Sequence, residues 1–581
     1  MIVHRYLMFC LVVLVLPGFF TNCLQNNTMP AADLVLKNGF IYTVDSQRTN
    51  AEALVIKNGK IVYVGTNKGV EGYIGKSVNV VDLGGRLVLP GFIDSHCHAI
   101  SAFKQLYDVN LNGLGSVEAY KKAIKDFAQK HPEAKYIKGR GWSNTVFGKI
   151  GPDKKIIDEI IKDIPVSLSS EDGHSKWVNS KTLELAGITN QTKNPPGGVI
   201  ERYPGTNEPG GALREKAADL VADIFPGPSL EQMMNGLKAY QQMALSFGIT
   251  TVHDASLDAG SDDITAYKNL EKQNRLLLRF RASLYVDPAK GVEQVKWLMD
   301  ECAGHKGPLF QINAAKIFID GVVEGSTAYL REPYQHLPGS RGELLWDKEA
   351  LNRMCAELDK NGLQIHVHSI GDAGTAVTLD GFAYALNQNG KRDSRNLITH
   401  LQLVDPVDIL RFHRLGVIAV TQPYWFMKDD YYYNLQVPYL GQKRADEEYP
   451  MESFFKAGVI VTSSSDYPVT IPCNPLRAIR IGITRSRLDT TDPKEVLWPR
   501  ERVTLEQMIA SFTINGAYAN FLEKVTGSIE TGKMADLIVL DRNLFDIPVT
   551  EIDKAKVLLT LFAGKEAFCD QSFGRVFHLV R

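Results

Sequence analysis

Short apolar runs alternate with stretches of helical periodicity through most of the chain. Strands that alternate with helical segments are typical of βα units and a parallel sheet. Eight of the apolar runs are candidate parallel strands. They span residues 92–98, 250–255, 279–286, 314–321, 363–369, 396–401, 417–422 and 459–466. Eight is the strand number of a closed (β/α)8 barrel, so the pattern predicts an α/β fold with a TIM-like barrel.

Both ends of the chain show a different pattern, made of β-prone runs with tight turns. Residues 33–44 and 53–64 are each interrupted by Asn-Gly, which is a strong hairpin signal between β-prone residues. Residues 527–540 and 557–562 repeat this pattern near the other end. We therefore expect residues 31–90 and 523–581 to form one small composite β-sandwich.

The first two predicted barrel strands are separated by far more chain than one βα connection needs. The helix before the second strand is predicted to begin at Ser229, which forms a capping-box pattern with Gln232, and to end at Gly248. Residues 103–228 are then a large insertion after strand one. Residues 91–102 and 229–522 are predicted to form the barrel.

The N-terminus carries an apolar run over residues 6–20. The run is shorter than the about 20 residues of a membrane span, and it matches the core of a signal peptide. We predict that residues 1–30 are an export segment, so the protein is periplasmic, secreted or lipid-anchored. Cys23 loosely resembles a bacterial lipoprotein site, which adds membrane attachment through an N-terminal lipid as an option. The alternative for the apolar run is a buried strand or helix.

The charge balance narrows the class of protein. Lysine and arginine number 65 against 66 aspartates and glutamates, a formal net charge of −1. This balance argues against binding of nucleic acid, and the 44% hydrophobic content argues against disorder. The seven cysteines include no Cys-x-x-Cys pair, so neither a disulfide framework nor a thiolate zinc site is expected.

Potential metal ligands stand near the ends of five of the predicted barrel strands. They are His96 and His98 on the first strand, Lys316 on the fourth, His366 and His368 on the fifth, His400 on the sixth and Asp466 on the eighth. Residues two apart in a strand point to the same face, so each histidine pair projects together. The intervals fit multiples of a βα unit of about 30 residues, and barrel active sites lie at the C-terminal strand ends. His253, on the second strand, is assigned to packing, with the pocket as the alternative.

These ligand types indicate a divalent metal. Imidazole and carboxylate suit zinc and similar ions, and the lack of nearby thiolates argues against a closed structural site. An open site can lower the pKa of bound water to about 7, and two ions can share a hydroxide that attacks a polarised carbonyl. We expect one or two ions, with zinc as the first choice.

With these residues, the sequence resembles the amidohydrolase superfamily, specifically the amidohydrolase 3 or YtcJ-like group, over nearly all of the chain after residue 30. The stretches that carry the resemblance are Pro90-Gly-Phe-Ile-Asp-Ser-His-Cys-His, Asp172-Gly-His-Ser-Lys-Trp-Val-Asn-Ser, Lys316 through Asp320-Gly, His368-Ser-Ile-Gly-Asp, His400-Leu-Gln, Ser465-Asp-Tyr-Pro-Val and Gly532-Lys-Met-Ala-Asp-Leu. The sequence departs from the family pattern at Thr399, where glutamate is frequent, and at Ser463-Ser-Ser, which replaces a usual glycine. These departures bear on substrate preference more than on catalysis.

The resemblance implies roles for individual residues. The metal site would consist of His96, His98, Lys316, His368, His400 and Asp466. Lys316 would be carboxylated to a bridging carbamate, because two dications would repel its ammonium. The alternative is an ordinary ion-pairing lysine. Asp466 would also take a proton from the attacking water and pass it to the leaving nitrogen.

Five further residues in or beside these motifs are assigned to substrate binding. They are Asp172, His174, Trp177, His366 and Gln402. For Asp172, His174 and Trp177, the alternative is that they organise the fold of the insertion. His366 either supports the ligands or contacts the substrate.

The predicted function is metal-dependent hydrolysis of a carbon–nitrogen bond other than a peptide bond. The substrate would be a small linear amide, or an N-acyl or N-formyl compound, attacked by a metal-bound hydroxide with Asp466 as acid and base. One alternative is deamination of an amino-heterocycle on the same fold, against which Lys316 weighs. Another is a non-catalytic binding or scaffold relative, against which the complete ligand set weighs. Assembly into a homo-oligomer is compatible with the sequence.

Overall fold

A computed structural model describes residues 32–573, apart from residues 48, 148–150, 171–174 and 197. The predicted export segment and the last eight residues of the predicted sandwich therefore lie outside the described residues. Within the described part of the chain, no helix combines the length and apolar character needed to cross a membrane.

The described chain begins with seven short strands that contribute to two sheets. They are β1 (Leu34–Lys37), β2 (Phe40–Tyr42), β3 (Asn50–Ala51), β4 (Ala53–Lys57), β5 (Lys60–Gly65), β6 (Asn79–Asp82) and β7 (Leu87–Pro90). The first sheet has the order β5-β4-β1-β6. The predicted turn between β4 and β5 consists of Asn58 and Gly59, both with positive φ, which a two-residue hairpin turn of this kind requires.

The first barrel strand, β8 (Phe92–Cys97), is followed by the insertion. Its elements are α1 (Phe103–Tyr107), β9 (Asp108–Asn110), α2 (Val117–Lys130), β10 (Ile137–Trp142), α3 (Asn144–Phe147), α4 (Lys154–Asp158), β11 (Val166–Ser170), β12 (Ser175–Val178), α5 (Ser180–Leu185), β13 (Gly198–Arg202) and β14 (Pro209–Glu215). Its six strands form one sheet in the order β13-β14-β12-β11-β10-β9. Tyr120 and Ile124 of α2 pack on the apolar face of this sheet against Val109, Leu168 and Trp177.

The other seven barrel strands and the helices between them lie within residues 230–463. The helices are α6 (Leu230–Ser246), α7 (Asp262–Lys272), α8 (Gln294–Gly304), α9 (Lys348–Lys360), α10 (Asp372–Asn389), α11 (Pro406–Leu415), α12 (Val437–Leu440), α13 (Gln442–Asp446) and α14 (Glu452–Lys456). The strands are β15 (Ile249–Leu257), β16 (Arg279–Tyr285), β17 (Phe310–Phe318), β18 (Gln364–Ser369), β19 (Leu397–His400), β20 (Ile418–Thr421) and β21 (Val461–Ser463).

The eight barrel strands are all parallel and follow one another in sequence order, β8 and then β15 through β21. The first and last strands meet through a 2.6 Å hydrogen bond between the hydroxyls of Ser95 and Thr462. The predicted fold class is therefore confirmed, with all eight strands at the predicted places. The sequence-predicted ends were too late for the fourth strand, which ends at Phe318, and for the eighth, which ends at Ser463.

The chain returns to the sandwich after the barrel. The last elements are α15 (Pro475–Thr484), α16 (Leu505–Ser511), α17 (Ile514–Ala519), β22 (Leu537–Leu540), β23 (Val557–Phe562) and β24 (Lys565–Cys569). These strands complete the second sheet, in the order β24-β23-β22-β7-β2-β3. Residues from both chain ends share one apolar core, in which Leu36, Ile56 and Val88 pack with Leu537 and Leu559.

A buried ion pair joins the sandwich to the barrel. Arg279, at the start of β16, pairs with Asp536, which precedes β22, and both side chains are almost fully buried. The other carboxylate oxygen of Asp536 accepts a hydrogen bond from the backbone N–H of Ala563, at 2.8 Å. The closing Gly532-Lys-Met-Ala-Asp-Leu motif therefore contributes to docking the two parts of the molecule.

Candidate metal centre

The first and last barrel strands bring three potential ligands together. His96 lies in β8, His98 follows β8, and Asp466 follows β21. The backbone N–H of Asp466 donates to the carbonyl of His96 at 2.9 Å, and that of His98 donates to the carbonyl of Tyr467 at 2.6 Å. Oδ1 of Asp466 consequently lies 3.3 Å from Nε2 of His96 and 3.3 Å from Nε2 of His98.

The other three predicted ligands lie around this group. The ring of His400 is 5.0 Å from that of His96 and 4.5 Å from that of His368, measured between centroids. Lys316 is fully buried, and its Nζ lies 4.9 Å from the ring centroid of Phe318. That ring is in turn 5.2 Å from the ring of His368. The structure therefore gathers all six side chains at the C-terminal end of the barrel.

Burial sets the protonation of this group. Desolvation, and secondly the charge of Lys316, lower the pKa of His96 well below its usual value and that of His368 to about 4. Desolvation lowers the pKa of Lys316 to about 7, which the nearby Asp466 only partly opposes. For Asp466, burial raises the pKa, but the contact with His98 and the surrounding basic side chains outweigh it and lower the pKa overall. His96 and His368 are therefore neutral near pH 7 while Asp466 is ionised.

A chain of buried hydrogen bonds fixes the tautomer of His96. Nδ2 of Asn520 donates to the carbonyl of Gly516, so its Oδ1 faces Nδ1 of His253 at 2.8 Å and must accept a proton from it. Nε2 of a neutral His253 then accepts from the Ser283 hydroxyl at 2.7 Å. That hydroxyl accepts from Nδ1 of His366 at 3.2 Å.

The last link of this chain is the 2.8 Å contact between Nε2 of His366 and Nδ1 of His96. Because the Nδ1 of a neutral His366 already carries its proton, its Nε2 accepts and His96 donates from Nδ1. The lone pair of His96 therefore stands at Nε2, the nitrogen that faces Asp466. We call the series Asn520, His253, Ser283, His366 the histidine relay.

Two more acceptors orient His400 and His368. Nε2 of Gln422 donates to the hydroxyls of Thr399 and Ser464, so its Oε1 accepts from Nδ1 of His400 at 3.2 Å. The carbonyl of Gly321 lies 3.2 Å from Nε2 of His368 and accepts from it. The free lone pairs are thus Nε2 of His400 and Nδ1 of His368. Thr399 and Ser464, the departures from the family pattern, anchor the amide that orients a predicted ligand.

The donor set fits a divalent cation. Nε2 of His96 and Oδ1 of Asp466 are both acceptors and face each other at 3.3 Å. Among the residues that the structure describes, neither atom has a hydrogen-bond partner, and the buried Nζ of Lys316 has none either. Two facing acceptors repel each other unless a cation lies between them. Ligand atoms about 3.3 Å apart are what tetrahedral bonds of about 2.0–2.1 Å produce. Among the described residues, His96, His98 and Asp466 have ligand atoms within 4.8 Å of one another.

The segment around Asp466 is held against β8 by a buried carboxylate. Asp94 accepts hydrogen bonds from the backbone N–H of Ser465 at 2.9 Å and from its hydroxyl at 2.5 Å. Asp466 and His400 both have positive φ, which is strained for residues with a Cβ. Such strain is concentrated at functional sites, where the surrounding structure enforces it. Here it turns both side chains toward the centre.

The residues predicted to bind substrate differ in their locations and contacts. His366 is fully buried and bonded to His96, which is the supporting role. Trp177 is fully buried among the inserted sheet's apolar residues, and its indole N–H donates to the carbonyl of Asp153, which favours the packing alternative. Gln402 is buried, and its Nε2 donates to Oε1 of Glu448 at 2.8 Å. Asp172 and His174 lie outside the described residues.

Several residues that support the site carry no sequence signal of their role. Ser283, Asn520 and Gln422 carry no motif, and each lies far along the chain from its histidine partner. Glu448 was also missed; it is fully buried, and its Oε2 has no hydrogen-bond partner in the part of the chain that the structure describes. The histidine at position 253 was noted, but its two hydrogen bonds are tertiary contacts that no local pattern signals.

Fold and donor set together define the class of metal-dependent hydrolases with a (β/α)8 barrel. The sequence profile of the amidohydrolase family matches residues 79–568, and the chain belongs to that family. The predicted resemblance is thereby confirmed, and the protein is a hydrolase.

Several known proteins are similar over nearly their whole length. Protein LONG AFTER FAR-RED 3 of Arabidopsis thaliana is 32% identical, covering 95% of each chain. YtcJ of Bacillus subtilis is 28% identical, covering 91% of this chain and 98% of the relative. N-substituted formamide deformylase of Arthrobacter pascens is 25% identical, covering 92% and 97%. The crystal structure of an uncharacterized metal-dependent hydrolase from Pyrococcus horikoshii superposes with a TM-score of 0.72 at 25% identity, covering 89% of this chain and 99% of that one.

Proposed function

We propose that the protein hydrolyses the carbon–nitrogen bond of a small linear amide, an N-acyl or an N-formyl compound. The observation that carries the proposal is the convergence of Asp466 Oδ1 on the Nε2 atoms of His96 and His98 at 3.3 Å. Membership of the amidohydrolase family supports hydrolysis, and the similarity to a formamide deformylase supports an amide substrate.

The proposed ligands of the metal are the six converging side chains. They are His96, His98, Lys316, His368, His400 and Asp466. A divalent ion bound there, with zinc as the first choice, supplies a Lewis acid that polarises a carbonyl and lowers the pKa of a coordinated water. The histidine relay and Gln422 hold the imidazoles so that their lone pairs face the centre.

Asp466 is the proposed acid and base. Its carboxylate is ionised and placed at the centre, so it can accept a proton from the attacking water and deliver it to the leaving nitrogen. Lys316 is proposed to be carboxylated. Its amine pKa of about 7 leaves much of it neutral at physiological pH, and a neutral amine adds to CO2 with release of one proton.

The substitution Asp466→Asn tests the role of this carboxylate. Asparagine keeps the shape and one oxygen but cannot carry the proton, so we expect turnover to fall by about 10²-fold or more. The measurement is amine release from formamides, N-acyl amino acids and related amides by metal-loaded protein. Metal content and circular dichroism serve as controls and should stay close to the parent values. Undiminished turnover in this variant would contradict the assignment.

Metal analysis of the purified parent protein separates this function from its alternatives. About two equivalents per chain support the proposed hydrolase, whereas about one equivalent favours a deaminase. A protein that binds no metal from zinc-supplemented buffer would refute a metal-dependent reaction.

A further inference from the structure

The polar face of the inserted sheet forms a cavity of about 740 Å³. The sheet is apolar on the face covered by α2 and polar on the other face, as alternation along its strands requires. Lys138 and Arg140, two apart on β10, share this polar face with Lys176 of β12. Lys104 of α1 and the exposed Lys216 bring the cationic side chains that line the cavity to five.

Among the described lining residues, the cations outnumber the carboxylates. Three carboxylates belong to the described lining. Asp108 is half-buried, whereas Glu215 and Asp219 are exposed. None of the ion pairs within the described residues joins Asp108 to a lysine or arginine of the cavity. Burial and the charge of Arg140 lower the pKa of Lys104, and burial and the charge of Lys138 lower that of Lys176; the charge of Asp108 opposes both shifts only in part. The cations therefore repel one another.

Arg140 has an unsatisfied donor at this place. Its Nη2 is buried and has no hydrogen-bond partner in the described part of the chain. A buried guanidinium donor without a partner is costly, and a guanidinium matches the two oxygens of a carboxylate or phosphate. By contrast, Lys138 and Lys176 donate to the carbonyl of Pro226 and the hydroxyl of Ser169, respectively.

Part of the cavity lining is apolar. Val221, Ala222 and Phe225 form it, from the 3-10 helix Ala218–Ile224 and the residue that follows. Cavities of about 300–1,000 Å³ with a few convergent polar groups are typical of small-molecule sites. Cationic and apolar side chains thus line the same cavity and can contact the same ligand.

We propose that this cavity binds a small organic anion whose carboxylate or phosphate group pairs with Arg140 and Lys104 and whose apolar part packs on Phe225. Its position relates it to the metal centre. Lys104 lies on α1, which begins five residues after His98, so the cavity adjoins the segment that carries this ligand. The anion is therefore either the acidic end of the substrate or a separate small molecule bound nearby.

Calorimetric titration of the full-length protein tests the binding site. Benzoate and phenyl phosphate are the probes, and uncharged benzamide is their control. We expect at least one anion to bind and benzamide not to bind. Arg140→Gln should weaken the anion at least tenfold, whereas Lys122→Gln, the same charge change at an exposed position of α2, should not. Absence of anion binding to the parent protein, or parent-like affinity in both the Arg140→Gln and the Lys104→Gln variants, would overturn the proposal.

The melting temperature separates binding from a structural role. A cation that is repelled by its neighbours should be removable without loss, so Arg140→Gln should melt at or above the parent temperature. The anion that binds should raise the melting temperature of the parent, and at the same concentration it should raise that of the variant much less. A variant that melts well below the parent, with no anion effect on either protein, would indicate a structural arginine and refute the site.

Kinetics identify the source of the anion, and this arm alone rests on the proposed function. If the cavity holds the substrate, Arg140→Gln should raise KM for an N-acetyl amino acid at least tenfold and leave KM for its neutral carboxamide unchanged. If it holds a separate molecule, the substitution should shift neither KM. Failure of the metal-loaded parent to hydrolyse either amide would count against the hydrolase, while the titration would still decide the cavity.

Discussion

Each imidazole of the metal centre depends on an acceptor that holds one of its nitrogens. The His-x-His spacing predicted that His96 and His98 would project together, and they converge on Asp466. The spacing could not predict which nitrogen carries the proton, because that depends on Ser283, Asn520 and other residues remote in sequence. At this scale the sequence therefore predicted which residues converge at the centre, but not which residues hydrogen-bond to them.

The histidine relay leads to a prediction for Ser283→Ala. Loss of the hydroxyl removes the link between His253 and His366, so the tautomer of His96 is no longer fixed. We expect metal affinity to fall about 10–100-fold, as for other residues that support metal ligands. Competition with a chelator measures the affinity. Ser511→Ala removes another buried hydroxyl, which bonds to Ser463 and Met508, and should leave the affinity unchanged. Equal affinities in both variants would contradict the relay.

Lys316→Met tests whether Lys316 helps to hold the metal. Methionine fills most of the same volume but cannot form a carbamate, so a bridging ligand would be lost. We expect the metal content to fall by about one equivalent per chain relative to the parent. Lys360→Met, an exposed lysine at the end of α9, is the matched control. Parent-like metal content in Lys316→Met would leave Lys316 as an ordinary buried amine.

At the scale of elements, apolar runs located all eight barrel strands but misplaced some of their ends. The fourth strand begins at Phe310 because Phe310 and Ile312 are buried while Gln311 and Asn313 are only partly so. The alternation of buried and half-buried residues is a weaker strand signal than the continuous apolar run that follows it, so the predicted strand began too late. The eighth strand stops at Ser463, since the left-handed backbone of Asp466 leaves the ladder. Functional geometry, rather than propensity, decided that end.

Helix α6 allows a test of local stability. The predicted capping box is present, with the Ser229 hydroxyl accepting from the N–H of Gln232 and the Gln232 side chain accepting from that of Ser229. Ser229→Ala should destabilise the helix by about 1 kcal/mol, and hydrogen exchange should become faster in its first turn. Ser116→Ala, which removes the cap of α2, should speed exchange in α2 and not in α6. Unchanged exchange in α6 would show that tertiary packing alone holds its start.

At the scale of the whole molecule, the composite sandwich depends on its attachment to the barrel. The sequence patterns indicated that both chain ends build strands, but the buried pair of Arg279 and Asp536 could not be foreseen. Its two members lie in different predicted domains. The charge pattern along the chain does not indicate which residues pair over so long a sequence separation. The contact between sandwich and barrel is therefore visible only in the structure.

Removing one partner of this pair should be costly. Asp536→Ala leaves the buried guanidinium of Arg279 without its carboxylate, and we expect a loss of about 3–5 kcal/mol in the free energy of unfolding. Urea denaturation measures it. Asp126→Ala, in an exposed pair with Lys122, should change the stability far less, because solvent screens an exposed pair. Similar small effects in both variants would mean that the two parts dock without this pair.

The placement of β7 has a consequence for biosynthesis. This strand lies between β2, which precedes it in the chain, and β22, which follows it by more than four hundred residues. When the ribosome has synthesised all the barrel strands, it has not yet synthesised β22, the strand that covers one edge of β7. Until then the nascent chain presents a hydrophobic strand edge of the kind that pairs with other chains. Chaperone demand during synthesis should therefore persist until the segment containing β22 leaves the exit tunnel.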